Sequence, residues 1–219
     1  TIQGGEITNV PEYPDRLMLI ARTVDVRLEN VTLRGTPSTT TSSIKDCLLI
    51  LDSARIVLDH VTLAYCEDEL VDISNSVGVE ITNTILAYPL NCASHRSGCH
   101  PFIALCIRCE VTFDNVLFDS GKERLPKCEH GICIVRNSLY RNINGYGLNA
   151  AGESTITFTG NIILPGMNTH DVAYGIVAGN PEDYPIDPVI TERCTLVLHP
   201  YTASNGVQYP LGRRYNADR

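Results

Sequence analysis

The stretch IVLDHVTLA, residues 56–64, decides the fold. Ile56 and Leu58 alternate with Val57 and Asp59, a two-residue period that belongs to a half-buried strand rather than a helix. The strand then meets His60 and resumes as Val61-Thr62-Leu63. The same pattern recurs as VRLENVTLR (26–34), VEITNTILA (79–87), VTFDNVLFD (111–119), CIVRNSLYR (133–141) and TFTGNIILP (157–165). Its bend residues are Asn30, His60, Asn83, Asn115, Asn137 and Asn161. Asn tolerates left-handed backbone and its amide reaches nearby main chain, so each unit reads as strand, corner, strand.

The anchors are 30, 23, 32, 22 and 24 residues apart, which is one unit of 22 to 24 residues carrying two insertions. Such a unit buries its apolar face only by stacking on its neighbours, and the fold expected is an all-β solenoid, a parallel β-helix. Leu58, Leu63, Ile81, Phe113, Leu117, Ile134, Leu139 and Phe158 are the expected core, with Asp59, Thr62 and Thr112 outward. A β-sandwich with regularly spaced strands is the competing architecture. One domain spanning 1–219 is expected, with 170–219 a less regular C-terminal segment packed on the helix.

Of the 219 residues 43% are hydrophobic, enough for one sizeable core, and the formal charge of −8 with no basic cluster argues against a nucleic-acid partner. No apolar run is long enough to cross a bilayer, and these residues carry no signal-peptide pattern; Thr1 is not a natural start, so a leader or further sequence ahead of it stays open. Nine cysteines favour a secreted, extracellular protein. Cys92, His95, Cys99, His100, Cys106 and Cys109 crowd together, and Cys106-x-x-Cys109 has half of a zinc-site spacing without a clear second half. Disulfides, zinc and buried thiols all remain open. Asn30-Val31-Thr32 matches a glycosylation acceptor, although a buried bend Asn is the expected reading.

Five segments carry a resemblance. Val57-Leu58-Asp59-His60 is similar to a V-W-I-D-H signature with Leu in place of Trp, and Cys66 to Ile73, read CEDELVDI, is similar to T-D-[EG]-L-[IV]-D-[IV]. Thr112 to Phe118 resembles T-F-H-H-N-L-F, Arg124-Leu125-Pro126 matches R-x-P, and Pro165 to Thr169 looks like P-G-P-N-T. In this order they resemble the pectate lyase family, calcium-dependent polysaccharide lyases built on a right-handed parallel β-helix. The second arginine of R-x-P-x-x-R is absent, Lys127 standing nearest, and the expected subsite lysine is represented only by Arg96. The chain begins where family members have formed their first coils, so the resemblance implies a preceding segment or a partner covering the first coil.

The resemblance implies β-elimination on a polygalacturonate-like uronic acid polymer. Arg124 is then the catalytic residue, and Arg96, Lys122 and Lys127 are candidate cations for neighbouring carboxylates of an acidic polysaccharide. Asp59, Asp68 and Asp72 are hard oxygen donors that suit Ca2+, provided the chain bends between Glu67 and Glu69. His60 is read as a structural hydrogen-bonding group, and Tyr140 and Tyr146 either line a sugar groove or pack in the wall. Two other classes compete: a catalytically degenerate carbohydrate-binding β-helix, and a structural β-helix within a larger assembly such as a virion.

Overall fold

A computed structural model describes residues 1–8, 16–36, 46–90, 101–144, 147–164, 176–178 and 189–196, and among them every regular element is a strand. Successive coils are β1 (Ile2–Thr8); β2 (Arg16–Ala21) and β3 (Val24–Arg34); β4 (Asp46–Leu51), β5 (Ala54–Asp59) and β6 (Thr62–Ala64). There follow β7 (Val71–Ser74), β8 (Val77–Thr82) and β9 (Ile85–Ala87), then β10 (Ala104–Ile107), β11 (Glu110–Asp114) and β12 (Leu117–Asp119). Next come β13 (Lys127–Glu129), β14 (Ile132–Arg136) and β15 (Leu139–Arg141), then β16 (Leu148–Ala151) and β17 (Thr155–Leu164), and finally β18 (Ile176–Ala178) and β19 (Val189–Leu196).

Each strand pairs in parallel with its counterpart one coil away, which makes the molecule a parallel β-helix. The order β18-β16-β13-β10-β7-β4-β2 forms a seven-stranded sheet. The other strands form one folded sheet with two faces, because β3 and β17 run straight through the bend that separates β5 from β6 and β14 from β15. β18 and β19 continue both sheets into the C-terminal stretch. The remainder of 170–219 lies outside the described residues.

The bend is left-handed backbone, as the Asn pattern requires: φ is 55° at Asn30 and His60, 49° at Asn83, 56° at Asn115 and 52° at Asn137. These side chains are exposed, Asn30 included, because the left-handed turn throws them out of the coil. Their amides then stack along the outside, Asn115 Nδ2 donating to Asn83 Oδ1 at 2.8 Å and Asn83 Nδ2 to Asp59 Oδ1 at 2.9 Å. The last unit differs. Gly160 takes the turn with φ 67°, and Asn161 moves inward, where its Oδ1 accepts from Ser138 N and its Nδ2 donates to Val135 O. A second left-handed row, not anticipated, turns the chain out of the seven-stranded sheet at Arg22, Asp52, Asn75, Arg108, His130 and Gly152.

Leu58, Leu63, Ile81, Phe113 and Phe158 are buried as expected. Leu117, Ile134 and Leu139 are not; they sit outward and half-buried, while Phe118, Val135 and Tyr140 point inward. The left-handed bend leaves the next residue, Val116 or Ser138, inward, which shifts the phase after the bend by one position; Ile134 precedes its bend and faces outward because Cys133 and Val135 take the inward positions of β14. Tyr140 is therefore core rather than groove, in a ladder with Phe118 (4.7 Å between ring centroids) and Phe158 (5.4 Å). Tyr146 lies outside the described residues. A disulfide joins Cys47 to Cys66 inside the stack. Among the described residues no helix is long and apolar enough to cross a membrane.

Candidate functional site

The seven-stranded sheet gathers the acidic residues at its leading edge. Asp46 starts β4, and Glu69 comes beside it because Cys47 N donates to Glu69 O and Leu48 N to Leu70 O. Carboxylate oxygens of Asp46, Asp68 and Glu69 lie within 4.8 Å of one another. Asp72, an outward position of β7, adjoins this group electrostatically and accepts a hydrogen bond from Ser74 Oγ at 2.9 Å. The chain does bend between Glu67 and Glu69, as carboxylates only a few residues apart in sequence need in order to converge.

Burial and repulsion favour the protonated forms of Asp46, Glu69 and Asp72. Burial, then the Asp72 and Asp68 charges, push Asp46 up to about 7. Burial and the adjacent Asp68 carboxylate push Glu69 up to about 9 against the opposing pull of Arg124. Burial also raises Asp72 above the usual carboxylate range. Arg16, opposite Asp46 on β2, supplies a partial counter-charge.

Arg124 approaches from two coils away. It occupies the turn before β13 at φ 60°, fixed by Ala104 N donating to Arg124 O at 2.7 Å and Leu125 N to Gly147 O at 2.8 Å. Its side chain crosses the intervening coil on the face of Phe102, with Cζ 4.2 Å from the ring centroid, and its Nη1 donates to Glu69 Oε1. A cation on an aromatic face is favourable electrostatically, so Phe102 both supports and aims the guanidinium. The arginine and the acidic group are thereby one site.

Asp59 does not join it. The structure puts Asp59 at the end of β5, on the other sheet, where Arg27 Nη2 (2.9 Å), Asn83 Nδ2 (2.9 Å) and Thr82 Oγ1 (3.2 Å) donate to its carboxylate. His60 Nδ1 lies 2.8 Å away, so His60 is the structural group expected. The Asn83 hydrogen bond and the further donors hold Asp59 below the usual carboxylate range. Of the expected acidic trio, then, Asp68 and Asp72 are brought together, and Asp46 stands where Asp59 was expected. Asp46 lies in no repeat unit; matching Leu48-Leu49-Ile50 to Val71-Asp72-Ile73 as paired strands is the signal that finds it.

Lys127 lies in register with Leu105 and Asp72 on the outward face of the seven-stranded sheet, with its Nζ 2.9 Å from Glu129. Lys122 pairs with Glu123 at 3.5 Å. Arg96 and the Pro165 to Thr169 segment lie outside the described residues.

No protein-family model matches the chain. In sequence it is similar to "Probable pectate lyase 9" of Arabidopsis thaliana, 30% identical over 142 residues, which are 62% of this chain and 30% of that protein. It is similar also to "Probable pectate lyase C" of Aspergillus oryzae, 29% identical over 137 residues, 61% of this chain and 31% of that protein. The chain is a relative of the pectate lyases. It spans about three tenths of the length of these relatives. Among solved structures, the crystal structure of the major allergen from cedar pollen matches with a TM-score of 0.55 at 12% identity, covering 89% of this chain and 68% of that one. That likeness concerns the fold, and it agrees with the parallel β-helix described above.

Proposed function

We propose that this pectate lyase relative cleaves polygalacturonate-like chains by β-elimination, with Ca2+ held at the head of the seven-stranded sheet. The observation that carries the reading is Arg124 lying on Phe102 and reaching Glu69, which joins the residue of the R-x-P motif to an all-carboxylate group. The donor set fits a hard cation: Asp46, Asp68 and Asp72, with Glu69, offer only oxygens, which calcium takes six to eight at a time and zinc does not favour. Bound there, Ca2+ would neutralise a substrate carboxylate at C6 and so acidify the proton on C5.

The residues of the chain supply the rest. Elimination transfers the C5 proton to a base, the role the resemblance gives Arg124, breaks the C4–O bond with its electron pair leaving on that oxygen, and leaves a C4–C5 double bond, so negative charge builds next to the carboxylate before the leaving group departs. Arginine side chains stay protonated through the ordinary pH range, and a guanidinium beside that charge stabilises it; desolvation by substrate and loss of its carboxylate partner are what would turn it into a base. Glu69 is shared between Arg124 and the acidic group, so a bound cation and Arg124 compete for one carboxylate. Lys127, on the outward row of the same sheet as Asp72, meets a neighbouring uronate carboxylate; Lys122 and Arg96 extend the same role. The Cys47–Cys66 disulfide supports an extracellular site of action.

A second reading, a groove that binds acidic polysaccharide without turnover, is favoured by the same hydrogen bond from Arg124 to Glu69, which engages the arginine before any substrate arrives. The test is incubation of the protein with polygalacturonate and calcium at pH 8 to 10, followed by ultraviolet absorbance of the unsaturated uronide. Product that vanishes with a chelator is expected. Calcium-dependent binding with no product at any alkaline pH assigns the second reading instead.

A further inference from the structure

Four cysteines meet inside the corner where the chain leaves the seven-stranded sheet. Cys106 and Cys128 are register partners on β10 and β13, both inward. Cys109 occupies the corner itself, and Cys133 is the first inward residue of β14. All four are buried thiols in a chain that elsewhere bonds Cys47 to Cys66. The sulfurs of Cys106, Cys109 and Cys133 lie within 4.8 Å of one another, and Cys128 adjoins Cys133 closely enough to hydrogen-bond it.

Neighbouring coils show what this corner holds when no such cluster is present. One coil earlier the positions of Cys106 and Cys109 are Ile73 and Ser76, and the Ser76 hydroxyl closes the turn by donating to Ser74 O. One coil later the corner residue is Gly131, where a Cβ would come within 2.4 Å of Cys109 O, so the turn below Cys109 has room only for glycine. Sulfur thus replaces the aliphatic and hydroxyl residues at Cys106 and Cys109 in one coil, and in the next Cys128 and Cys133 flank the glycine corner.

We infer that Cys106, Cys109, Cys128 and Cys133 form a structural zinc site, one tetrathiolate holding two coils of the β-helix together. Cys106-x-x-Cys109 supplies one half and Cys128-x-x-x-x-Cys133 the other, both spacings at which turns converge on tetrahedral zinc. Zinc–sulfur bonds of about 2.3 Å put sulfurs roughly 3.8 Å apart, a separation compatible with the 4.8 Å within which Cys106, Cys109 and Cys133 already lie. The Cys106 and Cys133 thiols hydrogen-bond Cys109 and hold it down at about 5, a thiolate at neutral pH, while burial keeps Cys106 and Cys133 protonated until a cation takes their place. Binding releases every remaining thiol proton of the four, that of Cys128 included, to solvent and leaves the ion with four thiolate ligands and two net negative charges. Two features offset that charge. The hydroxyl of Tyr140 is buried without a hydrogen-bond partner and sits close enough to Cys133 to feel its charge, a donor for a sulfur ligand. Outside, the Arg108 guanidinium lines, together with Glu110 and His130, a depression at Cys109 that also provides the entry path.

The test is the full chain produced with zinc in the medium, measured for metal content and for thiols reactive in denaturant with and without a chelator. The expected result is about one zinc per chain, thiols protected until chelation, and a tetrahedral thiolate spectrum when Co2+ replaces zinc. Cys109→Ser and Cys128→Ser each lower zinc content at least tenfold, and Cys47→Ser does not. Should the serine variants fail to fold, the cobalt spectrum of the wild-type protein decides alone. Thiols that appear only after reduction show two disulfides and overturn the site. Reactivity mapped to Cys106, Cys109, Cys128 and Cys133 with no zinc retained, or an iron–sulfur chromophore in place of zinc, overturns it as well.

Discussion

Arg124 and Glu69 are paired across an intervening coil, the guanidinium lying on the ring of Phe102 that separates them. The pair is 55 residues apart in sequence and closes only because the coils stack. It links the one residue of the R-x-P motif to the only group of three carboxylates that converge among the described residues.

Replacing Arg124 by lysine keeps the charge and loses the planar fork that lies flat on Phe102. The expected outcome is a fall in kcat of about a hundredfold or more, the size of effect seen when one aligned stabilising donor is removed. Lys127→Ala, by contrast, raises KM more than it lowers kcat, since a subsite contact is made alike in ground and transition states. Steady-state kinetics on both variants check the split.

Asp46→Asn combined with Asp72→Asn abolishes calcium binding and leaves the fold intact, because both side chains face away from the core. Asp59→Asn leaves calcium affinity unchanged, since Asp59 is held on the other sheet by Arg27 and Asn83. Titration calorimetry on the two variants reads the difference. A loss of affinity in Asp59→Asn alone returns the metal to that position.

The repeat was legible because its period is short and its corners chemically special: alternation in IVLDHVTLA and the Asn bends gave strand, corner and stacking direction. The phase beyond the corner was not, and Leu117 and Leu139 were misplaced inward, because a left-handed residue consumes one position without a side chain entering the core. The site divided along the same line. Arg124, Asp68 and Asp72 carry motif flanks, whereas Asp46, Arg16 and Phe102 become neighbours only through pairing between coils, which no local pattern encodes. Asp59 lies in the most readable stretch of the chain, and its carboxylate serves the exposed amide ladder instead.

The acidic group sets a pH dependence of stability. Asp46 at about 7 and Glu69 at about 9 are raised above their unfolded values, so the native protein binds more protons than the unfolded chain between roughly pH 4 and 9. Stability of the calcium-free protein is therefore greatest at the acidic end of that window and falls as pH rises through it. Calcium reverses the loss by replacing the protons. Thermal unfolding at pH 5 and pH 9, with calcium and with chelator, is expected to show a calcium shift in Tm several degrees larger at pH 9.

Phe118→Ala opens the aromatic ladder between Phe113 and Tyr140 and is expected to cost about 3 to 5 kcal/mol in denaturant unfolding. Leu117→Ala, one residue away but outward, costs about 1 kcal/mol or less. Equal effects would contradict the phase of the strand after the bend.

The claim that the acidic group and Arg124 form one calcium-dependent uronide site is tested most directly by diffraction from crystals of the Arg124→Lys variant grown with calcium and an oligogalacturonate. The account predicts anomalous density for calcium bounded by Asp46, Asp68 and Asp72, with a uronate carboxylate on the ion and the sugar chain running along the outward face of the seven-stranded sheet toward Lys127. Calcium at Asp59, or a sugar chain bound on another face with the acidic group holding no ion, would contradict it.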